Sequence, residues 1–119
     1  MDVVWVRKPT LLFHWSPVDR RKSIRRYGLK PGSRSVSNLW RPPYVCLARS
    51  PSLAWVLRGG NDEIPEWDLW TVWDTRLGQY SIIKDDDGSI KEYRVYERIY
   101  KRDLWYVGMR SSTTSGWRD

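Results

Sequence analysis

The sequence is poor in the residues that build metal clusters and covalent staples. Its 119 residues include one cysteine, Cys46, and one histidine, His14. A single cysteine excludes an intrachain disulfide. One His with one Cys excludes the usual zinc sites, which take three or four nitrogen and sulfur ligands. No metal is therefore expected, and a reducing, cytoplasmic compartment is the expected one. No run of about 18 apolar residues occurs, so no membrane-spanning helix is expected. Met1 to Lys8 lacks the charged start, long apolar stretch and small-residue cleavage site of a signal peptide. No internal repeat and no mid-chain break in composition appears. One domain is expected over residues 1–110, with a polar, flexible tail over 111–119.

Aromatic rings and positive charge are plentiful. Nine Trp and seven Tyr supply much of the 40% apolar fraction, and each large ring buries a wide area, so a core needs no disulfide. The net charge is +7 and the pI about 9.8. Arginines crowd the first half, with Arg20, Arg21, Arg25, Arg26, Arg34 and Arg41 among them. That balance favours anionic, phosphate-bearing partners, and it serves solubility equally well.

The local pattern is α+β, with strands in the majority. Short β-prone stretches occur at Trp5–Val6 and Leu11–Trp15. Asp19 to Tyr27 reads as a helix with Ile24 and Tyr27 on one face and arginines on the rest. Ser16 or Asp19 is placed to cap it, Pro17 fits its first turn, and Gly28 sits where a C-terminal glycine belongs. Ser33 to Pro43 reads as a loop. Tyr44 to Ala48 is a strand, and Ser50-Pro51-Ser52 opens a short helix through Leu57, closed by Gly59-Gly60. Trp67 to Asp74 is a strand. Asp85 to Gly88 is a turn. Lys91 to Ile99 alternates, with Tyr93, Val95 and Glu97 on one face and Glu92, Arg94 and Tyr96 on the other. Leu104 to Met109 is the last strand.

Three segments carry chemistry. The first is Leu12-Phe13-His14-Trp15-Ser16, followed by the helix ending Ile24-Arg25-Arg26-Tyr27-Gly28-Leu29. The second is Tyr44-Val45-Cys46-Leu47-Ala48 with the Ser50-Pro51-Ser52-Leu53-Ala54 helix start. The third is Lys91-Glu92-Tyr93-Arg94-Val95, followed by the closing strand. In this order they resemble the ADP-ribosyltransferase superfamily, on its diphtheria-toxin and poly-ADP-ribose-polymerase side, whose site is summarised as H-Y-E.

The resemblance spans roughly residues 11–109 and implies split antiparallel β-sheets with two short helices. It implies NAD as substrate, with His14 bonding the ribose next to nicotinamide, the Trp15 backbone holding the amide, and the Ser16 hydroxyl assisting. Its tyrosine stacks on nicotinamide. Counting back from Leu47-Ala48 puts Cys46 at that position, and Tyr44 lies two residues earlier on the same face. Either Tyr44 supplies the ring in a slipped register, or Cys46 has replaced it, in which case another aromatic such as Trp40 is left to compensate. A nucleophilic Cys46 is not expected, because a strand cysteine is usually an inert apolar residue. Glu92 falls at the catalytic glutamate, which steadies the oxocarbenium-like charge as nicotinamide leaves. Glu97 is the alternative acid, and its opposite parity excludes both from one cleft.

The implied activity is transfer of ADP-ribose from NAD to a macromolecular acceptor, either nucleic acid or protein. Arg21, Arg25, Arg34 and Arg41 are the expected acceptor-binding residues. A non-catalytic module binding ADP-ribose or another nucleotide is the main alternative. An RNA 2′-phosphotransferase shares the His-x-Ser/Thr segment but lacks the glutamate and needs an upstream basic pair, so Glu92 argues against it. A single-strand binder of another class also fits the charge and the rings, but most of the rings alternate on strands, which suits core packing better.

Overall fold

The computed structural model describes residues 8–32, 43–58 and 63–112. The strand at Trp5–Val6, most of the loop Ser33–Pro43 with Arg34, Trp40 and Arg41, the Gly59-Gly60 stop and the tail beyond Ser112 lie outside the described residues.

Six strands and two α-helices follow one another as β1 (Leu11–Pro17), α1 (Arg21–Tyr27), β2 (Val45–Leu47), α2 (Pro51–Leu57), β3 (Glu66–Trp73), β4 (Tyr80–Lys84), β5 (Ile90–Val95) and β6 (Trp105–Ser111). They form two three-stranded antiparallel sheets, ordered β1-β3-β6 and β2-β5-β4. The fold is thus a small α+β arrangement of two sheets and two helices.

The sheets meet where Phe13 pairs with Ala48. Phe13 N–H donates to the Ala48 carbonyl at 2.8 Å, and Ala48 N–H returns the bond at 3.0 Å. One core lies between the sheets and α1. Leu12, Val72, Leu47 and Val95 fill it, with Ile24 from the helix. A second core lies under α2, where Trp15, Trp67 and Leu69 pack on Ala54 and Trp55. Strand β1 therefore buries both of its faces. Alternation sends Leu12 to the first core and Trp15 to the second. A fully buried leucine such as Leu12 contributes about 2–3 kcal/mol.

Local signals explain the helix ends. Ser50 caps α2, its hydroxyl accepting from Leu53 N–H at 3.1 Å, and Pro51 takes the first position. Gly28 ends α1 at φ 80°, a conformation that disfavours a side chain. A Cβ there would overlap the Ile99 carbonyl oxygen. Beside it, Leu29 and Ile99 exchange backbone bonds of 2.9 and 2.8 Å, so α1 is fastened to the turn Lys101–Asp103.

Several expectations need correction. The helix does not begin at Asp19: Val18–Arg20 is a 3-10 turn, α1 starts at Arg21, and neither Ser16 nor Asp19 caps it. Ser16 is still a strand residue, paired with Asp68. Tyr27 does not share the core with Ile24. It is 42% exposed, with the Arg26 and Lys30 cations over its ring. Strand β5 stops at Val95 instead of Ile99, because Tyr96 N–H turns to Gln79 and Ile99 pairs with Leu29. Ser111, expected in the tail, belongs to β6 opposite Glu66. Strand β4 lies in a stretch, residues 80–84, to which the sequence pattern assigns no strand. It is the first arm of the hairpin whose loop is Asp85–Gly88, where Gly88 has φ 84°.

Two bulges set side-chain directions. On β6, Trp70 faces Tyr106 while Leu69 faces Gly108, so Val107 is the extra residue. Tyr106 and Met109 thereby both lie on the α1 face, although three positions apart. On β5, Ile83 faces Glu92 and Lys84 faces Ile90, so Lys91 bulges directly before Glu92.

Candidate functional site

His14, Cys46 and Glu92 stand on β1, β2 and β5, and a chain of hydrogen bonds links them at the meeting of the sheets. His14 Nδ1 lies 2.8 Å from the Cys46 carbonyl oxygen. A carbonyl only accepts, so Nδ1 carries the proton, and in the neutral ring Nε2 is the acceptor nitrogen. The Cys46 thiol donates to Glu92 Oε2 at 2.7 Å. Arg94 donates to Glu92 Oε1 through Nε at 3.0 Å and Nη2 at 2.7 Å. Arg94 is the β5 residue paired with Cys46, so the register itself delivers the guanidinium.

The electrostatics follow from these contacts. Burial pushes the Glu92 carboxyl up, but the bonds from Cys46 and Arg94 and the charges of Arg94 and Lys91 outweigh it and hold the group below its ordinary value. Glu92, 7% exposed, is thus an ionised carboxylate in a largely buried place. The Cys46 thiol moves the other way: burial, the bond to Glu92 and that carboxylate's charge push its pKa well above the ordinary thiol range. A thiol held protonated is a poor nucleophile. Its role here is that of a donor.

The geometry bears on the Tyr44–Cys46 alternative. Cys46 is the residue between His14 and Glu92. Tyr44 is half-buried, with the Arg94 guanidinium 4.7 Å from its ring centre and Tyr96 packed edge-on at 6.2 Å. The tyrosine therefore borders the carboxylate's arginine, one step from the carboxylate itself. Glu97 lies past the end of β5, where its carboxylate accepts from Gln79 N–H, away from His14.

The other expected residues are placed as follows. Trp15 buries its ring in the second core and donates through Nε1 to the Pro51 carbonyl at 2.8 Å. Because Phe13 directs its peptide groups toward Ala48, two-residue alternation turns the Trp15 peptide groups the same way, away from β3. Ser16 is 2% exposed on the same face as His14, opposite Asp68. Arg21 is engaged within the chain, donating through Nε to Asp68 Oδ2 at 2.9 Å and through Nη2 to Oδ1 at 2.6 Å. Tyr106 hydroxyl adds a third donor to Asp68 at 3.1 Å. Asp68 is fully buried, and this neutralisation makes its burial tolerable. Arg21 is thus a structural cation more than a docking one. Arg25 is exposed beside the Tyr106 ring.

Sequence reasoning missed Arg94 as a site residue, although the alternation of β5 already put it on the face of Glu92. It also missed Asp68 and Tyr106, whose contacts with Arg21 span 47 and 85 positions. Among the described residues no group of three or more His, Cys, Asp and Glu side chains is arranged to hold a metal ion. Among them, too, no helix is long and apolar enough to cross a membrane. No family model, no curated protein and no solved structure matches the chain.

Proposed function

We propose that the protein is an NAD-dependent ADP-ribosyltransferase whose site is built on His14, Cys46 and Glu92. One observation carries the reading. Three residues singled out by motif spacing, 32 and 46 positions apart, are joined by hydrogen bonds through Cys46 where the two sheets part.

Each group has a task in that chemistry. The Nδ1 proton of His14 is fixed by the Cys46 carbonyl, which orients the imidazole for a ribose hydroxyl. The peptide groups of Trp15 run along the same edge, where this reading places the carboxamide. Glu92 is ionised, and a carboxylate in a dry place stabilises positive charge far better than one in water. As the bond between the anomeric carbon and the nicotinamide nitrogen breaks, the nitrogen takes the electron pair and positive charge grows on the sugar beside Glu92. The acceptor's nucleophile then bonds the anomeric carbon and gives up its proton.

A second reading has its own support. Glu92 already accepts bonds from Cys46 and Arg94, and Cys46 brings no ring to stack on nicotinamide. A site so satisfied suits a module that binds NAD or ADP-ribose without turnover. Nicotinamide release from NAD separates the two. Release that disappears in Glu92→Gln supports the transferase. No release, with NAD or ADP-ribose still raising the melting temperature, supports the binding module. Neither release nor stabilisation sinks both.

A further inference from the structure

We propose that the face formed by α1, the turn Lys101–Asp103 and β6 is a docking surface for single-stranded nucleic acid. A groove of about 420 Å³ opens there, within the size range of small-molecule sites. Its apolar wall is Ile24, Trp70, Leu104 and Tyr106, and its cations are Arg25, Lys101 and Arg102. Trp70 is 4% exposed, and its indole N–H finds no acceptor among the described residues. A buried donor left unpaired beside a basic groove suits an oxygen brought by a ligand, such as a base carbonyl or a phosphate.

The surroundings extend the groove into a surface. Tyr27, Tyr100 and Tyr106 are 42%, 47% and 40% exposed. Each carries two cations within reach of its ring. Arg26 and Lys30 lie 5.2 and 4.7 Å from Tyr27, Arg98 and Arg102 lie 5.7 and 4.8 Å from Tyr100, and Arg25 lies 5.6 Å from Tyr106, whose other cation, Arg21 at 5.4 Å, is held by Asp68. Rings for bases and cations for phosphates are what an unpaired strand requires; Tyr106 lines the groove itself, and Tyr27 at the end of α1 and Tyr100 directly before Lys101 stand on the elements that form it. Residues 20–30 hold no acidic side chain. The carboxylates nearby are engaged, Asp68 with Arg21 and Asp103 with Arg102.

Other partners fit less well. A duplex hides its base faces, so only the cations have a counterpart. An acidic peptide supplies charge without rings. A lipid surface needs an exposed apolar helix face, whereas α1 turns Ile24 into the core. Trp70 is the β3 neighbour of His14 and the partner of Tyr106 on β6, so a base in the groove lies one strand from His14. The docking proposal nevertheless stands apart from the transferase reading, because its test reads binding alone.

The test is fluorescence anisotropy of labelled 12-nucleotide oligo-dT and oligo-rU against the full chain at several salt concentrations, with a 12-base-pair duplex and polyglutamate alongside. Both single strands should bind more tightly than the duplex. Tyr100→Ala should weaken strand binding about tenfold. Arg25→Ala/Lys101→Ala/Arg102→Ala should flatten the salt slope by about 2. Trp70→Phe, which keeps a ring and removes the donor, should weaken binding several-fold, with its melting temperature taken alongside to separate loss of fold. Lys84→Ala, an exposed cation on the other sheet, should change nothing. The proposal is overturned by no binding at low salt, by a duplex bound as tightly as the strands, by the triple variant keeping wild-type affinity and slope, or by polyglutamate competing as well as unlabelled strand.

Discussion

The Cys46 thiol donates to the Glu92 carboxylate at 2.7 Å, so the chain's single cysteine and its candidate catalytic acid form one unit. The thiol is the proton holder and the carboxylate the charge holder. Burial is the first cause of the thiol's upward shift, and the shared bond adds to it while helping, with Arg94, to hold the carboxyl down.

Glu92→Gln should lower nicotinamide release about 100-fold or more, the size of effect seen when one preorganised charge-stabilising group is lost. Circular dichroism should show the fold retained, since Gln keeps the shape. Chromatographic assay of nicotinamide reads the first, and release at the wild-type rate would exclude Glu92 as the acid.

The thiol should be slow to react. At pH 8 the folded protein is expected to consume a thiol reagent such as dithionitrobenzoate at least 100-fold more slowly than the urea-unfolded chain. Glu92→Gln should speed the folded reaction, because the carboxylate is one of the groups that keep the proton on sulfur. Equal rates in folded and unfolded chain would contradict the half-buried, hydrogen-bonded thiol.

Stability should fall at both ends of the pH scale for separate reasons. The Glu92 carboxyl is held below its ordinary value, so its contribution is present above that value and is lost as pH falls through the folded one. The Cys46 thiol is held above its ordinary value, so its contribution is complete below about pH 9 and declines as pH rises further. Urea melts of wild type against Cys46→Ala isolate the alkaline limb, which the variant should lack.

Gly28→Ala should be costly for its size. The positive φ alone costs about 1–2 kcal/mol with a side chain, and the Cβ would press on the Ile99 carbonyl oxygen. The melting temperature should drop by roughly 10 °C. Gly88→Ala, also at positive φ but with open space around it, should cost less.

Asp68→Ala should destabilise more than Asp85→Ala in the exposed hairpin loop. It leaves Arg21 and the Tyr106 hydroxyl without their shared acceptor at a fully buried position. Calorimetry of the two variants checks the order.

Much of the local structure was legible because its causes are local. Ser50-Pro51 announces α2, Gly28 announces the end of α1, and Asp85–Gly88 announces the hairpin turn. Strand period alone sends Glu92 and Glu97 to opposite faces, and their carboxylates do diverge; the preference for Glu92 as the acid rests on the resemblance. What escaped depends on distant pairing. The 3-10 start before α1 arises because β3 holds Ser16 and Pro17 in strand pairing. Asp68 looks like one polar residue among the aromatics of β3 until Arg21 arrives from 47 positions away. The bulges at Lys91 and Val107 appear only when the partner strands are in register. Tyr44 and Cys46 share a face, so alternation alone leaves both in play; that the thiol reaches Glu92 while the Tyr44 ring meets Arg94 appears only in the assembled sheet.

The junction of the sheets has a mechanical meaning. Among the described residues the two sheets share one backbone pairing, Phe13 with Ala48. The core packed between the sheets holds them together as well, so the pairing is a stitch at one edge and not their only tie. His14 sits on one sheet and Cys46 and Glu92 on the other, all close to that stitch. The spacing between imidazole and carboxylate is therefore set where two independent ladders abut, and a change in core packing on either side reaches it.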